Sequence, residues 1–274
     1  MHGICVQDPQ TPGRATTCPG VDWDEIFRSA DPIELLRQAA SHGQVVDNPA
    51  DSALPLVDNQ EVWAAGVTYF RSRTARMEES QSAGGGSFYD RVYEAARPEL
   101  FYKGSARTVV ATGQPIRIRA DATWNVPEPE LVLAISAAGR IIGYTTGNDV
   151  SSRDIEGENP LYLPQAKVYD GSCALGPLLV LGDLPDRSTA IRLSIVRGGA
   201  AVFQDETSLA ELKRNPQELV EYLYRDQSFP AGCLLMTGTG IVPDDLFTLE
   251  PGDEVTIRIG DLPGLINTVE RRTS

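Results

Sequence analysis

The sequence predicts a β-rich α+β fold in which a small N-terminal unit, residues 1–60, precedes a larger domain, residues 61–274. Three observations support this prediction. Apolar residues alternate with polar ones in segments such as 116–119, as in half-buried strands. Clear helix starts stand at Asp31 and Asn215. Successive strands also follow one another without long helices between them, which argues against a doubly wound parallel sheet.

The N-terminal unit combines a short predicted strand around residues 4–6 with helices. The run Asp31-Pro32-Ile33-Glu34 predicts a helix start, with an N-cap, a proline at the first helical position and a glutamate placed for a capping box. This helix is expected to stop near Gly43. The polar segment 47–52 contains turn residues and is the predicted boundary between the two units.

The larger domain begins with a change to strand character. Residues 62–69 read as a buried strand, and residues 191–203 read as a hairpin with Gly198-Gly199 at its turn. A late helix is predicted at Asn215-Pro216-Gln217-Glu218, again with a cap, a proline and a capping-box glutamate. Residues 248–259 form a turn that leads into another strand.

The composition excludes several classes of partner. The formal net charge is −14, so nucleic acid and anionic membranes are not expected, because both require a basic binding face. No segment approaches the apolar length of a membrane span or of an export signal. The four cysteines stand far apart with no CxxC spacing, which favours neither disulfides nor a zinc site. We therefore expect a cytoplasmic protein.

The segment from Pro127 to Asp149 is expected to bring three carboxylates together. Glu128 and Glu130 project from the same face, because successive side chains of a strand alternate. If the hairpin turns near Gly139, the residue opposite Glu130 lies at about position 148, next to Asp149. The alternative is that Glu128 and Glu130 are two solvated charges on an acidic surface.

Three carboxylates at close range repel one another unless a positive charge lies among them. A divalent cation supplies that charge most directly, and all-oxygen ligation suits Mg²⁺, with Mn²⁺ or Ca²⁺ as alternatives. The only two histidines, His2 and His42, lie in the N-terminal unit, which disfavours zinc.

Two cations follow Asp149 along the chain. Arg153 offers a planar fork suited to a substrate carboxylate, and Lys167 could act as a point charge or as a proton carrier. For each of them, a surface salt bridge is the alternative. Lys103 is a further candidate for substrate contact, with a structural ion pair as the equal alternative.

These motifs, in this order, resemble the fumarylacetoacetate hydrolase superfamily. The matching segments are Pro127-Glu128-Pro129-Glu130, residues 148–154 (Asn-Asp-Val-Ser-Ser-Arg-Asp), Lys167 before Gly176-Pro177, and Thr237-Gly238-Thr239.

The resemblance extends from about residue 61 to the C-terminus and implies a mixed β-sandwich roll, usually assembled as a homodimer or a higher homo-oligomer. It implies Mg²⁺ or a related ion held by Glu128, Glu130 and Asp149. It also implies a 2-oxo acid or acylpyruvate substrate, contacted by the residues that match Arg153, Lys167 and Thr239.

The departures from the family pattern concern the reaction. Hydrolases of the superfamily often carry a histidine and a glutamate that activate water on a mobile lid, and here Ser72 and Ala75 occupy those positions. A glutamine common after the Arg-Asp pair is replaced by Glu156. Together with the run that contains Gln165, a candidate substrate contact, these changes resemble the branch that dehydrates 2-keto-3-deoxy sugar acids.

Our hypothesis for the reaction is that Lys167 or Glu156 removes a proton from C3, that the cation and Lys167 hold the enolate charge, and that the 4-hydroxyl leaves as water. The alternatives on the same site are C–C hydrolysis of an acylpyruvate, decarboxylation or isomerisation. A remoter alternative is a binding module that holds a cation and catalyses nothing.

Overall fold

The computed structural model describes residues 3–8, 10–11, 13–47, 54–71 and 92–272. The two lid positions, Ser72 and Ala75, lie outside these residues, as does most of the predicted boundary segment 47–52. Within the described ranges, no helix combines the length and the apolar character that a membrane span requires.

The N-terminal residues form a small antiparallel sheet with two helices beside it. The strands pair in the order β1-β2-β3. The elements are β1 (Cys5–Gln7), β2 (Arg14–Thr17), α1 (Trp23–Arg28), α2 (Pro32–Ala40) and β3 (Val45–Asp47). Helix α2 starts where predicted, with the Asp31 side chain accepting from the backbone N–H of Glu34. The expected capping box does not form, because the Glu34 carboxylate binds Arg37 and Gln38 instead.

The remaining residues are rich in strands, as predicted. In chain order the strands are β4 (Glu61–Gly66), β5 (Glu99–Ser105), β6 (Val109–Val110), β7 (Ile116–Ile118), β8 (Asn125–Val126), β9 (Pro129–Ile135), β10 (Ile141–Asp149), β11 (Ser151–Ser152), β12 (Cys173–Leu175), β13 (Val180–Leu181), β14 (Ala190–Arg197), β15 (Ala200–Ser208), β16 (Cys233–Met236), β17 (Glu254–Ile259) and β18 (Leu265–Arg271). The helices are α3 (Arg153–Glu158), α4 (Leu163–Lys167) and α5 (Pro216–Tyr224), with 3₁₀ turns at Pro160–Tyr162 and Leu209–Glu211.

Two large mixed sheets carry most of these strands. The eight-stranded sheet has the order β5-β4-β16-β9-β10-β12-β6, with β13 paired to β10, and the five-stranded sheet has the order β15-β14-β17-β18-β7. The strands β8 and β11 form a separate pair. The predicted hairpin at 191–203 is confirmed as β14 and β15, joined by Gly198 and Gly199 with positive φ angles.

Alternation along β9 explains how the layers are held together. Leu131, Leu133 and Ile135 pack into one apolar core with residues of β14 and β17 from the five-stranded sheet. Val132 and Ala134 face the other way, into a second core that includes Ile26, Phe27 and Leu36 of the N-terminal helices. Both faces of β9 are therefore buried, and the N-terminal residues cover one face of the central sheet. The division at residue 60 stays a prediction.

Helix α5 begins at the predicted Asn215 cap, whose side chain accepts from the backbone N–H of Gln217. Glu218 pairs with Arg214 rather than closing a capping box. Leu219, Val220 and Leu223 are buried in the core between the sheets, which matches the amphipathic pattern in the sequence.

Candidate functional site

The β9–β10 hairpin creates the site. Its turn includes Gly139 with φ 73°, as the sequence predicts. Glu130 lies opposite Gly147, one residue from the predicted position, because the ladder shifts register between Ile141 and Gly143. The N–H of Asp149 donates to the Glu128 carbonyl at 2.9 Å, which holds the ends of the two strands together.

Three carboxylates meet at this end of the hairpin, as predicted. The residues Glu128, Glu130 and Asp149 are buried, at 4%, 1% and 1% exposure. Each can offer one oxygen such that all three oxygens lie within 4.8 Å of one another. The alternative of two solvated charges on an acidic surface is therefore wrong.

Lys167, at the end of α4, lies directly against this cluster. Its Nζ donates to Glu128 Oε2 at 2.7 Å, to Asp149 Oδ2 at 3.0 Å and to Ser151 Oγ at 2.5 Å. The Ser151 hydroxyl in turn donates to the Asp149 carbonyl at 2.9 Å, so its oxygen is available to accept from the lysine. Lys167 is wholly buried, and its charge is compensated by the two carboxylates.

Lys103, on β5, contacts the other carboxylate oxygen of Asp149, the one that Lys167 does not bind. Its Nζ lies 2.6 Å from Asp149 Oδ1 and donates to the carbonyl oxygens of Val150 and Lys167 at 3.0 and 2.5 Å. The ammonium thus donates to two carbonyl oxygens and forms an ion pair with the Asp149 carboxylate. The ion pair that the sequence left open as an alternative to substrate contact is thus present.

Arg153 and Glu156 lie at the start of α3. Arg153 Nη2 donates to Glu128 Oε1 at 2.6 Å, and Arg153 Nε lies 3.9 Å from Glu156 Oε2. Both side chains are 1% exposed. Asp154 is held separately, by the N–H groups of Thr123 and Trp124, which fixes the turn into the helix.

The Thr237-Gly238-Thr239 segment closes the site from β16. The N–H of Gly238 donates to Glu130 Oε2 at 2.6 Å. Gly238 has φ +92°, and a Cβ there would lie 1.9 Å from Thr68 Oγ1, so this contact requires glycine. Burial and the carboxylates of Asp149 and Glu128 raise the pKa of Glu130 well above its ordinary value, although Lys167 and the Gly238 N–H act in the opposite direction.

A cavity brings most of the predicted residues together. It is lined by Ala65, Gly66, Val67, Phe101, Glu128, Glu130, Asp149, Arg153, Lys167, Gly238 and Thr239. Glu156 and Lys103 are not among these lining residues, but they contact two residues that are, Arg153 and Asp149. Gln165 is not brought to the cavity: its side chain is exposed, and its carbonyl accepts from Arg119. Its role in substrate binding stays a prediction.

Three contributors to the site were not singled out from the sequence. Ser151 accepts from Lys167, the Gly238 N–H binds Glu130, and the Phe101 ring lies 5.7 Å from Lys167 Nζ. The Asn-Asp-Val-Ser and Thr-Gly-Thr runs contain the first two, so the motifs held this information. Nothing local in the sequence marks Phe101.

The donor set fits a hard divalent cation. All three candidate ligands are carboxylates, with neither histidine nor cysteine among them. The raised pKa of Glu130 shows that burying this carboxylate beside two others is unfavourable, and a cation among them offsets that cost. Glu128, Glu130 and Asp149 are the residues that would hold it.

Two relatives with named activities are similar to this chain in sequence. A probable 2-keto-3-deoxyxylonate dehydratase of Haloferax volcanii is 46% identical over 215 residues, which cover 78% of this chain and 73% of that protein. A 2-dehydro-3-deoxy-D-arabinonate dehydratase of Saccharolobus solfataricus is 41% identical over 219 residues, which cover 79% of this chain and 74% of that protein.

Solved structures share the fold. The apo form of a 2-keto-3-deoxy-D-arabinonate dehydratase matches with TM-score 0.80 and 32% identity over 98% of this chain and 95% of that one. A complex of the same kind of dehydratase with magnesium and 2,5-dioxopentanoate matches with TM-score 0.74 and 34% identity, over 95% of this chain and 84% of that one.

The family model described as fumarylacetoacetate (FAA) hydrolase C-terminal matches residues 62–270, which include both large sheets and the whole carboxylate cluster. The mixed sheets, the order of the motifs and this match agree, and the protein belongs to the fumarylacetoacetate hydrolase family.

Proposed function

We propose that the protein is a Mg²⁺-dependent dehydratase of 2-keto-3-deoxy sugar acids. The observation that carries this proposal is the buried carboxylate cluster, which shares one cavity with Lys167 and Arg153. The names of the two relatives, and the magnesium and 2,5-dioxopentanoate in a similar structure, support the reaction and the metal.

Glu128, Glu130 and Asp149 would hold the cation, which when bound acts as a Lewis acid that polarises the 2-oxo group of the substrate. Arg153 lines the same cavity, and its permanent positive charge favours an anionic substrate there. Thr239 lines the cavity beside Gly238, where its hydroxyl donates to the Ile241 carbonyl at 3.1 Å and is held in place.

The charges of the site suit a substrate with one carboxylate. Among the described residues of the site, four buried carboxylates (Glu128, Glu130, Asp149, Glu156) and three buried cations (Lys103, Arg153, Lys167), counted as ionised, leave one net negative charge. A divalent cation changes this to one net positive charge. A 2-oxo acid with a single carboxylate then makes the buried site neutral, which is the least costly state in a low-dielectric interior.

Lys167 is the residue to which we assign proton transfer. The elimination takes one proton from C3 and the hydroxyl from C4, and the two leave together as water. Lys167 is an ammonium that donates to Glu128 and Asp149, so it can give one proton to the departing hydroxyl and take the C3 proton in its place, which balances the reaction and restores the ammonium. Of the two candidates, Lys167 lines the cavity, whereas Glu156 is not among its lining residues and lies 3.9 Å from Arg153 Nε.

A substrate comparison tests the proposal. Purified protein with Mg²⁺ is incubated with a 2-keto-3-deoxypentonate and, separately, with an acylpyruvate, and substrate loss is followed with and without a chelator. We expect turnover of the sugar acid that stops when the metal is removed. Cleavage of the acylpyruvate without any turnover of the sugar acid would refute dehydration and favour C–C hydrolysis.

Two finer expectations complete the proposal. We expect a homodimer or a higher homo-oligomer, which light scattering of the purified protein measures directly. We also expect a cytoplasmic location. All four cysteines are free, and three of them are buried, which suits a reducing compartment.

A further inference from the structure

We propose that Lys103 is a positioning residue, which holds the side chain of Asp149 and the backbone of Lys167 in one fixed arrangement and thereby sets the geometry of the metal site. This inference rests on the proposed metal-dependent function and deepens it. It replaces substrate contact as the role of Lys103.

A β-bulge aims Lys103 into the protein. In the pairing of β4 with β5, Val62 lies opposite Gly104 and Trp63 lies opposite Tyr102, so Lys103 is the extra residue. A bulge re-aims a side chain, and bulges are common beside active sites. Here the result is a lysine that is 0% exposed, next to a tyrosine on the same strand that is 37% exposed. A buried ammonium is tolerated only with polar partners around it.

Lys103 contacts two segments of the site, the end of β10 and the end of α4. Nζ lies 2.6 Å from Asp149 Oδ1 and donates to the carbonyl of Val150, the next residue. It also donates to the carbonyl of Lys167. Lys167 Nζ in turn donates to Asp149 Oδ2, which closes a ring of contacts. The two oxygens of Asp149 are therefore held by two different lysines.

These contacts restrict the rotation of the Asp149 carboxylate about its Cβ–Cγ bond. Oδ1 is paired with Lys103, and Oδ2 is the oxygen that accepts from Lys167, which lines the cavity. The Lys167 backbone has a second support, because Ser172 Oγ donates to the same carbonyl at 2.8 Å. Asp149 Oδ1 has its ion pair with Lys103, so the carboxylate is the group most affected when Lys103 is changed.

The test uses the full chain and measures cation binding apart from activity. Mn²⁺ affinity is determined by isothermal titration and by electron paramagnetic resonance, and kcat, KM and thermal stability are measured in parallel. For Lys103→Met we expect Mn²⁺ affinity to fall about 10- to 100-fold, as is typical when a residue that orients a metal ligand is removed. The kcat falls as well, while KM at saturating metal changes little.

The variant Lys103→Arg distinguishes the effect of the exact contacts of Lys103 from the effect of its positive charge. It also provides the test if Lys103→Met does not fold. It keeps the positive charge, but a planar guanidinium cannot reproduce contacts to three acceptors around one nitrogen. We expect it too to lose Mn²⁺ affinity. Wild-type affinity in Lys103→Arg would mean that only charge matters and would overturn the proposal. Arg107→Met is the matched control, since Arg107 is an exposed cation on the loop that follows β5.

Three other results would also overturn it. One is wild-type Mn²⁺ affinity and kcat in folded Lys103→Met. Another is a loss of thermal stability with affinity and kcat unchanged, which indicates a structural role alone. The third is a rise in KM with unchanged metal affinity, which indicates substrate contact. Failure of the proposed function is distinguishable, because the wild-type protein itself would then bind no Mn²⁺ or turn over no substrate.

Discussion

Replacing Glu130 by glutamine tests whether the buried carboxylates form a cation site. The ligand oxygens lie no more than 4.8 Å apart. At an effective dielectric constant of about 20, two unit charges at that distance repel by about 3.5 kcal/mol, so the two pairs that include Glu130 cost about 7 kcal/mol before the neighbouring lysines and Arg153 reduce it. A divalent cation depends on that same concentration of negative charge.

The expected loss of Mg²⁺ affinity follows from this repulsion energy. We expect Glu130→Gln to weaken Mg²⁺ binding about 100-fold, or about 2.7 kcal/mol, which is less than half of the pairwise repulsion. At a Mg²⁺ concentration about 100 times the wild-type Kd, the wild-type protein is stabilised by about 2.7 kcal/mol and the variant by about 0.4 kcal/mol. For a chain of this length, these values correspond to rises in Tm of about 5–10 °C and about 1 °C.

The assay is differential scanning calorimetry with and without Mg²⁺, supported by titration calorimetry. Glu254→Gln is the matched control: Glu254 is exposed on β17, and its replacement changes the net charge equally. The control should keep the full rise in Tm. The reasoning is refuted if Mg²⁺ raises the Tm of Glu130→Gln as much as that of the wild-type protein.

Three further predictions concern single side chains. Lys167→Ala should abolish turnover while Mn²⁺ still binds in titration calorimetry, because the ammonium contacts two of the candidate ligands but is not one itself; substantial remaining turnover would contradict its assigned role. Asn215→Ala removes the α5 cap and should cost about 1 kcal/mol in urea unfolding without changing kcat. Leu133→Ala, at 0% exposure between the sheets, should cost about 2–5 kcal/mol in the same assay, and a cost near zero would contradict the packing.

The β9–β10 hairpin could be predicted because its signals are local. Strand alternation gives the faces of Glu128 and Glu130, and a glycine at the turn gives the partner strand. The prediction missed the register by one residue, since the irregularity between Ile141 and Gly143 depends on packing that the pattern does not encode. The helix starts at Asp31 and Asn215 were likewise predictable from local capping chemistry.

Side chains that contact the site from a distance were harder to predict. Lys103 lies 46 residues before Asp149 in the sequence, and it contacts the carboxylate from a β-bulge in β5 that no local pattern marks. Gln165 is the converse case, a residue near Lys167 in sequence whose side chain points elsewhere. It stands two residues before Lys167 on α4, and residues two apart on a helix do not share a face, so its side chain is exposed where that of Lys167 is buried, and its role in substrate binding stays a prediction.

In the proposed reaction, the site removes water from a 2-keto-3-deoxy sugar acid and leaves the carbon chain intact. Mass spectrometry of the products formed from a 2-keto-3-deoxypentonate with Mg²⁺ distinguishes this reaction from C–C bond cleavage. Dehydration predicts a single product that is lighter than the substrate by one water molecule and keeps all of its carbons. Pyruvate and a shorter aldehyde in its place would show that a C–C bond had been broken and that the site is not a dehydratase.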